Sequence, residues 1–268
     1  MNAGMINVLP FLFHDVYERD PAESGFRGHA ADRYKLTVEE FDVQLRGLAR
    51  VRRDRPILVT ELVQDPQGPV PFVITVDDGG VSYHTRVADR LEALRWRGHC
   101  LVTTSCIGRP GFLDKRQLRD LDARGHVIGS HSVSHPARFG ACPWSRMVRE
   151  WRESRQALED ILGRDVRIAS VPGGYFSPPV ARAAAEAGLS VLFTSEPETR
   201  VRRVAGCTVL GRFTVRRGCG PDFALMLGRL EAALLRRERL IWNVKKIAKA
   251  LLGSCYPWLA GLRGSHHA

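Results

Sequence analysis

The chain has 268 residues, 44% hydrophobic and 26% charged, enough to bury one large core and in the range of a single α/β domain. A formal charge of +11 favours an anionic partner such as an acidic membrane surface or a polyanionic glycan, but no helix-turn-helix, RNP-like or zinc-finger pattern accompanies it, which excludes the common nucleic-acid-binding modules. Six scattered cysteines without a CxxC pair exclude a disulfide scaffold and read as buried thiols, and no stretch reaches the roughly 20 apolar residues of a membrane span.

The opening segment, MNAGMINVLPFLFHDVYERD, lacks a basic start and is interrupted by Pro10, His14 and Asp15, so it makes a poor signal peptide. The expected location is therefore cytoplasmic, or peripheral to a membrane. KLTVEEFDVQLRGLA pairs Thr37 with Glu40 at capping-box spacing and sets Val38, Phe41, Leu45 and Leu48 on one face of a predicted helix. FVITV (72–76) is a predicted buried strand, and TRVADRLEALRWRG a helix stopped by Gly98. CLVTT is the next strand, LDKRQLRDLDARG a helix, and HVIGS (126–130) a strand again. PWSRMVREWRESRQALEDILG aligns Met147, Trp151, Leu158 and Ile161 as a core-facing stripe. DVRIASV, PPVARAAAEAG and LSVLFTS then read as strand, helix and strand. Strands alternating with helices of this length predict parallel βαβ units.

In a parallel sheet, sites form where the strands' carboxyl ends and their loops converge. Asp77 and Asp78 lie at such an end, in TVDDGG. Two adjacent, partly buried carboxylates repel each other unless a cation or strong donors offset the charge, so a metal site is one reading and a solvated Asp-Asp-Gly turn the other. His131 and His135, four apart in GSHSVSHP, can turn both imidazoles toward one ion, or cap and decorate the surface. A carboxylate with two imidazoles leaves positions open for water and substrate, which is a catalytic rather than a structural arrangement. His84, His99 and His126 are expected to be polar edge residues.

Taken together, TVDDGG and HSVSHP resemble the first two motifs of the polysaccharide deacetylases, carbohydrate esterase family four with its NodB homology domain, over about residues 70 to 195. The resemblance implies a distorted (β/α) barrel that removes an N-acetyl group from an amino sugar, an N-acetylated glycan being the partner. It implies Asp77 as general base, and Asp78, His131 and His135 as ligands of a divalent ion, Zn2+ first, with Co2+, Ni2+ or Mn2+ as alternatives. SVPGGYFSP is similar to the family's third motif, which makes the Gly173 N–H the expected oxyanion donor, with Pro172 shaping the turn and Tyr175 beside the substrate. Ser170 stands where an arginine often braces the catalytic aspartate, which is expected to weaken the tuning of Asp77. No histidine lies between residues 136 and 265 to serve as a late general acid. LPFLFHDV, however, resembles the opening of the circularly permuted biofilm poly-N-acetylglucosamine deacetylases, making His14 the candidate acid with Asp15 orienting it. In TSEP, Glu196 is a candidate contact to sugar hydroxyls or a loop cap. Hydrolysis of another amide, such as a formamide on a lipid-linked sugar, and a degenerate carbohydrate-binding domain are the alternatives.

The organisation expected is one catalytic domain over residues 1–225 and a basic helical extension over 226–268. Between Gly228 and Gly264 there are eight Lys or Arg against two Glu. Leu240, Ile241, Val244, Ile247, Ala248, Leu251 and Leu252 form one stripe, with Lys245, Lys246 and Lys249 on another side. Such a helix can lie on an anionic membrane, or dock its stripe on the barrel with its lysines in water. Trp242 falls on the lysine side, and neither arrangement accounts for it.

Overall fold

The computed structural model describes residues 6–62 and 68–252, and the side chains of its last helix as far as Ile247. The strands are β1 (Leu9–Phe13), β2 (Val16–Tyr17), β3 (Leu36–Thr37), β4 (Phe72–Val76), β5 (His99–Val102), β6 (Val127–Ser130), β7 (Ile168–Ser170), β8 (Val191–Phe193), β9 (Arg202–Val204), β10 (Cys207–Leu210) and β11 (Phe213–Thr214). The helices are α1 (His29–Asp32), α2 (Val38–Val51), α3 (Ala88–Ala93), α4 (Lys115–Ala123), α5 (Trp144–Leu162), α6 (Pro178–Glu186), α7 (Phe223–Gly228) and α8 (Ala232–Leu252).

Nine strands form one sheet in the order β11-β1-β4-β5-β6-β7-β8-β10-β9. All neighbours run parallel except β9 and β10, which are antiparallel. From β4 to β8 each strand lies beside its successor in sequence, as short right-handed crossovers dictate. The sheet curls into the expected distorted (β/α) barrel. Leu9–Phe13, unassigned by hydrophobic pattern, is a strand next to the β11 edge of the sheet, paired along its length with β4.

Side-chain alternation explains where the site is. On β4, Phe72, Ile74 and Val76 face the helices and join the main core. Val73 faces the other way, into a smaller interior cluster with Val8, Leu101, Phe193 and Leu210. Continuing that period, Thr75 and then Asp77 fall on the interior side, so Asp77 emerges at the carboxyl end of the barrel.

Local signals worked where they were specific. Thr37 Oγ1 accepts from the Glu40 N–H at 3.1 Å and the Glu40 carboxylate accepts from the Thr37 N–H at 2.8 Å, closing the expected capping box of α2. The helix expected from Thr85 instead begins with a π-helical turn, Tyr83–Val87, that leads into α3. His99 and His126 are not edge residues: both are buried. His99 donates from Nδ1 to the Ile74 carbonyl at 3.0 Å and accepts the Val59 N–H on Nε2 at 3.0 Å, which satisfies both ring nitrogens. His126 pairs with the Tyr83 hydroxyl at 2.9 Å and with Glu92 at 3.1 Å. His84, by contrast, lies near the surface against Asp120.

The boundary expected between residues 225 and 226 runs through α7, which packs on α2 and whose Ala224 N–H donates to Gln44 Oε1 at 2.9 Å. Cys100, Cys106 and Cys207 are buried free thiols, as expected, and Cys142 and Cys219 are half-buried; Cys255, like Trp258, lies outside the described residues.

Candidate active site

The two aspartates that look alike in sequence occupy opposite electrostatic settings. Asp77 is held by the guanidinium of Arg212, Nη1 to Oδ1 at 2.7 Å and Nη2 to Oδ2 at 2.7 Å, the bidentate geometry of a strong charge-assisted pair. The Ser170 hydroxyl adds a third donor to Oδ1 at 3.0 Å. Burial alone would raise the Asp77 pKa, but Arg212, His131 and His14 outweigh it and hold the carboxyl far below its usual range. Arg212 has no exposed surface and also donates to the Thr194 carbonyl at 2.8 Å and to Thr75 Oγ1 at 3.1 Å. The expected weakening of Asp77 at Ser170 is thus corrected. The serine hydroxyl and an arginine arriving between β10 and β11 together replace the missing brace. Sequence reading missed Arg212, although a lone arginine in the apolar run TVLGRFTV is the signal of a buried, paired charge.

Asp78 has no such partner. Burial raises its pKa well above the usual carboxylate value, and Asp15 and Asp77 add to the rise. Its backbone is in the left-handed region at φ 79°, a strained state for a non-glycine residue and one concentrated at functional sites. The Thr103 N–H, donating to the Asp78 carbonyl at 3.2 Å, helps to hold it there.

His131 follows β6, its N–H donating to the Val102 carbonyl at 2.8 Å. Its Nδ1 lies 3.0 Å from the Ser170 carbonyl, which orients the ring and leaves Nε2 aimed at the aspartates. Nε2 is 3.5 Å from Asp78 Oδ1 and 3.9 Å from Asp77 Oδ2. The His135 Nε2 is 3.6 Å from the same Asp78 oxygen. Burial pushes His131 down to about 3 and lowers His135 as well, keeping both imidazoles neutral, the form that ligates metal. The loop carrying them is built by Glu150 of α5, another residue without a sequence signal. Its carboxylate accepts from the Val133 and Ser134 N–H groups at 3.0 and 2.9 Å and from the Ser134 hydroxyl at 2.5 Å.

Asp78, His131 and His135 bring one donor atom each to within 4.8 Å of one another. Donors about 2.0–2.1 Å from a tetrahedral ion lie roughly 3.3 Å apart, so the 3.5 and 3.6 Å separations fit such a centre with little movement. The unpaired, buried carboxylate of Asp78 fits it too, since a cation supplies the charge that the protein withholds.

The third motif forms a tight turn in which the Gly174 N–H donates to the Val171 carbonyl at 2.8 Å. Pro172 takes the second position and Gly173, at φ 70°, the third, where that conformation suits glycine. His14 follows β1 and lines the same groove, of about 410 Å³, as Asp77, Asp78, His131, His135 and Gly173. A volume of this order suits a small-molecule or sugar subsite. The His14 ring packs on Tyr34 with centroids 5.0 Å apart, and its Nδ1 is buried without a hydrogen-bond partner. Burial lowers its pKa to about 4, with Asp77 acting in the opposite sense.

Two expected roles change. Asp15 does not orient His14: its Oδ1 accepts from the Ser24 and Ser82 hydroxyls, at 2.5 and 2.8 Å, beneath the site. Glu196 does not line the groove. Its carboxylate is taken by Arg202 at 2.8 Å and Lys246 at 3.1 Å, while Ser195 and Pro197 face the cavity instead. Tyr175 does line the groove and stacks on Trp242 of α8, with centroids 5.0 Å and planes 25° apart.

The family profile described as polysaccharide deacetylase matches residues 64–192. YheN and YxkH of Bacillus subtilis (strain 168) are each 24% identical to this chain, over 127 and 125 residues, and each alignment covers 47% of this chain. The chain spans 44% of the length of both relatives. Among solved structures, the deacetylase PplD of Streptococcus pyogenes in complex with acetate superposes with a TM-score of 0.70 at 16% identity, over 83% of this chain and 98% of that one. IcaB from Ammonifex degensii gives 0.64 at 20% identity, over 83% and 97%. At such identities the structural matches speak for the fold.

Proposed function

The chain contains a polysaccharide deacetylase domain of the NodB type, and from that premise we propose that it is a metal-dependent hydrolase removing an N-acetyl group from an amino sugar in a polysaccharide or lipid-linked glycan. The observation that carries the proposal is the convergence of Asp77, Asp78, His131, His135 and His14 on one groove.

Asp78, His131 and His135 would hold the ion, and the donor set suits Zn2+ first, with Co2+, Ni2+ or Mn2+ as substitutes. When bound, a divalent ion polarises the acyl oxygen and makes a nearby water more acidic. Asp77 is ionised and aimed by Arg212, so it takes the proton of the attacking water as that oxygen bonds to the acyl carbon. The Gly173 N–H lies on the groove wall and donates to the developing oxyanion. His14 is neutral in the resting site. As negative charge develops in the groove its proton affinity rises, so it takes up a proton from solvent and delivers it to the amide nitrogen as the C–N bond breaks, while Asp77 returns the water's proton to solvent, giving acetate and the free amine.

Acetate release from an N-acetylglucosamine oligomer tests this reading together with metal analysis. Asp77→Asn should keep its metal and lose about 10²–10⁴-fold in rate, whereas His131→Ala should lose the metal itself. Equal turnover in both variants and wild type would overturn it.

A further inference from the structure

Of the two arrangements expected for the C-terminal helix, the one that docks the apolar stripe on the barrel does not hold for Leu240, Val244 and Ile247. Leu240, Val244 and Ile247, spaced along one side of α8, are 65%, 57% and 59% exposed. The inner side of the helix carries Glu238, Ile241, Trp242 and Lys245 and forms one wall of the active-site groove. Trp242 is on the lysine side because that side faces the site, where its ring stacks on Tyr175. A second tie, Lys246 to Glu196 at 3.1 Å, fastens the helix to the barrel rim.

A helix pinned by its polar and aromatic side while three large aliphatic side chains stand in water inverts the usual amphipathic arrangement. The charges around the exposed stripe indicate what covers it. Arg236 and Arg237 lie within about 60° of its centre at 100° per residue, Arg239 on its flank, and all three are exposed. The acidic residue of α8, Glu238, lies on the opposite side, in the groove wall. Placing this face against a copy of itself would bring like charges together, whereas an anionic bilayer accepts the aliphatic stripe and neutralises the arginines. No described helix is long and apolar enough to cross a membrane.

We propose that the outer face of α8 is a docking surface for an anionic lipid bilayer, which holds the catalytic groove about one helix diameter, ~10 Å, from the headgroups. Resting on the deacetylase reading above, this makes the preferred substrate a membrane-anchored amino-sugar glycan.

The full chain, metal-loaded, is sedimented with vesicles of equal parts phosphatidylglycerol and phosphatidylcholine, and with phosphatidylcholine alone. Binding is expected to the anionic vesicles and to fall with added salt. The triple variant Leu240→Gln/Val244→Gln/Ile247→Gln should weaken it on the order of 100-fold, and Arg236→Gln and Arg237→Gln about five-fold each. Circular dichroism and metal content verify that the variants fold. Absence of vesicle binding by the wild-type chain, equal binding to both vesicle types, or unchanged binding by the triple variant overturns the proposal. So does a wild-type dimer that the triple variant dissolves, since the stripe would then belong to a second copy. For the substrate, the triple variant should lose acetate release from a vesicle-anchored N-acetylated glycan while retaining it on the same glycan in solution. If wild type releases acetate from neither, the catalytic reading fails and the sedimentation result still decides the docking.

Discussion

Arg212 should be strongly coupled in energy to Asp77, and a double-mutant cycle measures this directly. The guanidinium is completely buried and makes two 2.7 Å bonds to a carboxylate that is itself 3% exposed. Arg212→Met leaves the Asp77 charge with the Ser170 hydroxyl as its remaining hydrogen-bond donor, and Asp77→Asn leaves the guanidinium charge without its counter-ion. Removing one partner of a buried ion pair costs about 3–5 kcal/mol, chiefly because the survivor is stranded. Removing both strands neither, so the double variant should cost much less than the roughly 6–10 kcal/mol sum of two such losses. Urea unfolding of the four proteins, all stripped of metal, yields the coupling energy. Costs that add within about 0.5 kcal/mol would refute the pairing and, with it, the account of how Asp77 stays ionised. Arg212→Met should also lose acetate release, because an uncompensated Asp77 relieves its burial by taking up the proton that a base must lack.

His14→Ala should lower turnover about 10²–10⁴-fold at unchanged metal content, and a wild-type rate would remove His14 from the mechanism and favour the binding-domain alternative. His99 should contribute to acid sensitivity: burial lowers its pKa to about 4 from an ordinary value near 6.5. The folded state thus binds the proton less readily than the unfolded chain, so the stabilisation is complete above pH ~6.5 and is lost as pH falls through ~4, up to about 3 kcal/mol. His99→Gln should flatten the stability profile over that window in urea titrations, and an unchanged slope would contradict the neutral, doubly bonded ring. Gly80→Ala should destabilise by about 1–3 kcal/mol. A β-carbon there would stand 1.8 Å from Asp15 Oδ1, which two serine hydroxyls hold in place. A shift in urea midpoint worth less than about 0.5 kcal/mol would show that Asp15 is free to move.

Short-range signals carried the reading of the barrel and half of its site. The capping box at Thr37, the period of α5 and the runs ending at Val76 and Ser130 are local patterns that place the acidic pair and the histidine pair at strand ends. What escaped notice is what the topology brings from afar. Arg212 is 135 residues from Asp77 in sequence, and its role exists only because β11 closes against β1. Glu150 acts across a helix–loop contact, and on α5 it looks like one more charge on a solvated face. His99 and His126 were misjudged for the same reason, since a strand-leading histidine shows its burial only once helices cover it. Trp242 is the sharpest case. Periodicity grouped Leu240, Val244 and Ile247 on one side of α8 but put Ile241 with them and left open which side meets the protein, because hydrophobicity alone does not register a ring stacked over a groove.

The adjacent aspartates acquire a physical reason from this long-range chemistry. Side by side at a strand end, two carboxylates of equal environment would share the same repulsion and the same compromise. The fold breaks that equivalence through pleat and backbone. Asp77 points inward with the period of β4, where Arg212, from between β10 and β11, neutralises it and keeps it ionised, as the proposed base requires. Asp78, turned by its left-handed backbone, faces the two imidazoles with Asp15 behind it. Lys35, whose charge acts on Asp78 from a distance, is paired with Asp32 at 3.4 Å and spends its hydrogen bonds on the Pro21 and Ser24 carbonyls, at 2.6 and 2.8 Å, and so braces the loop. One carboxylate is thus provided with its counter-charge by the protein and the other is not, and under the proposed mechanism this division of labour, a base beside a metal ligand, makes a tandem pair more useful than two separated acids.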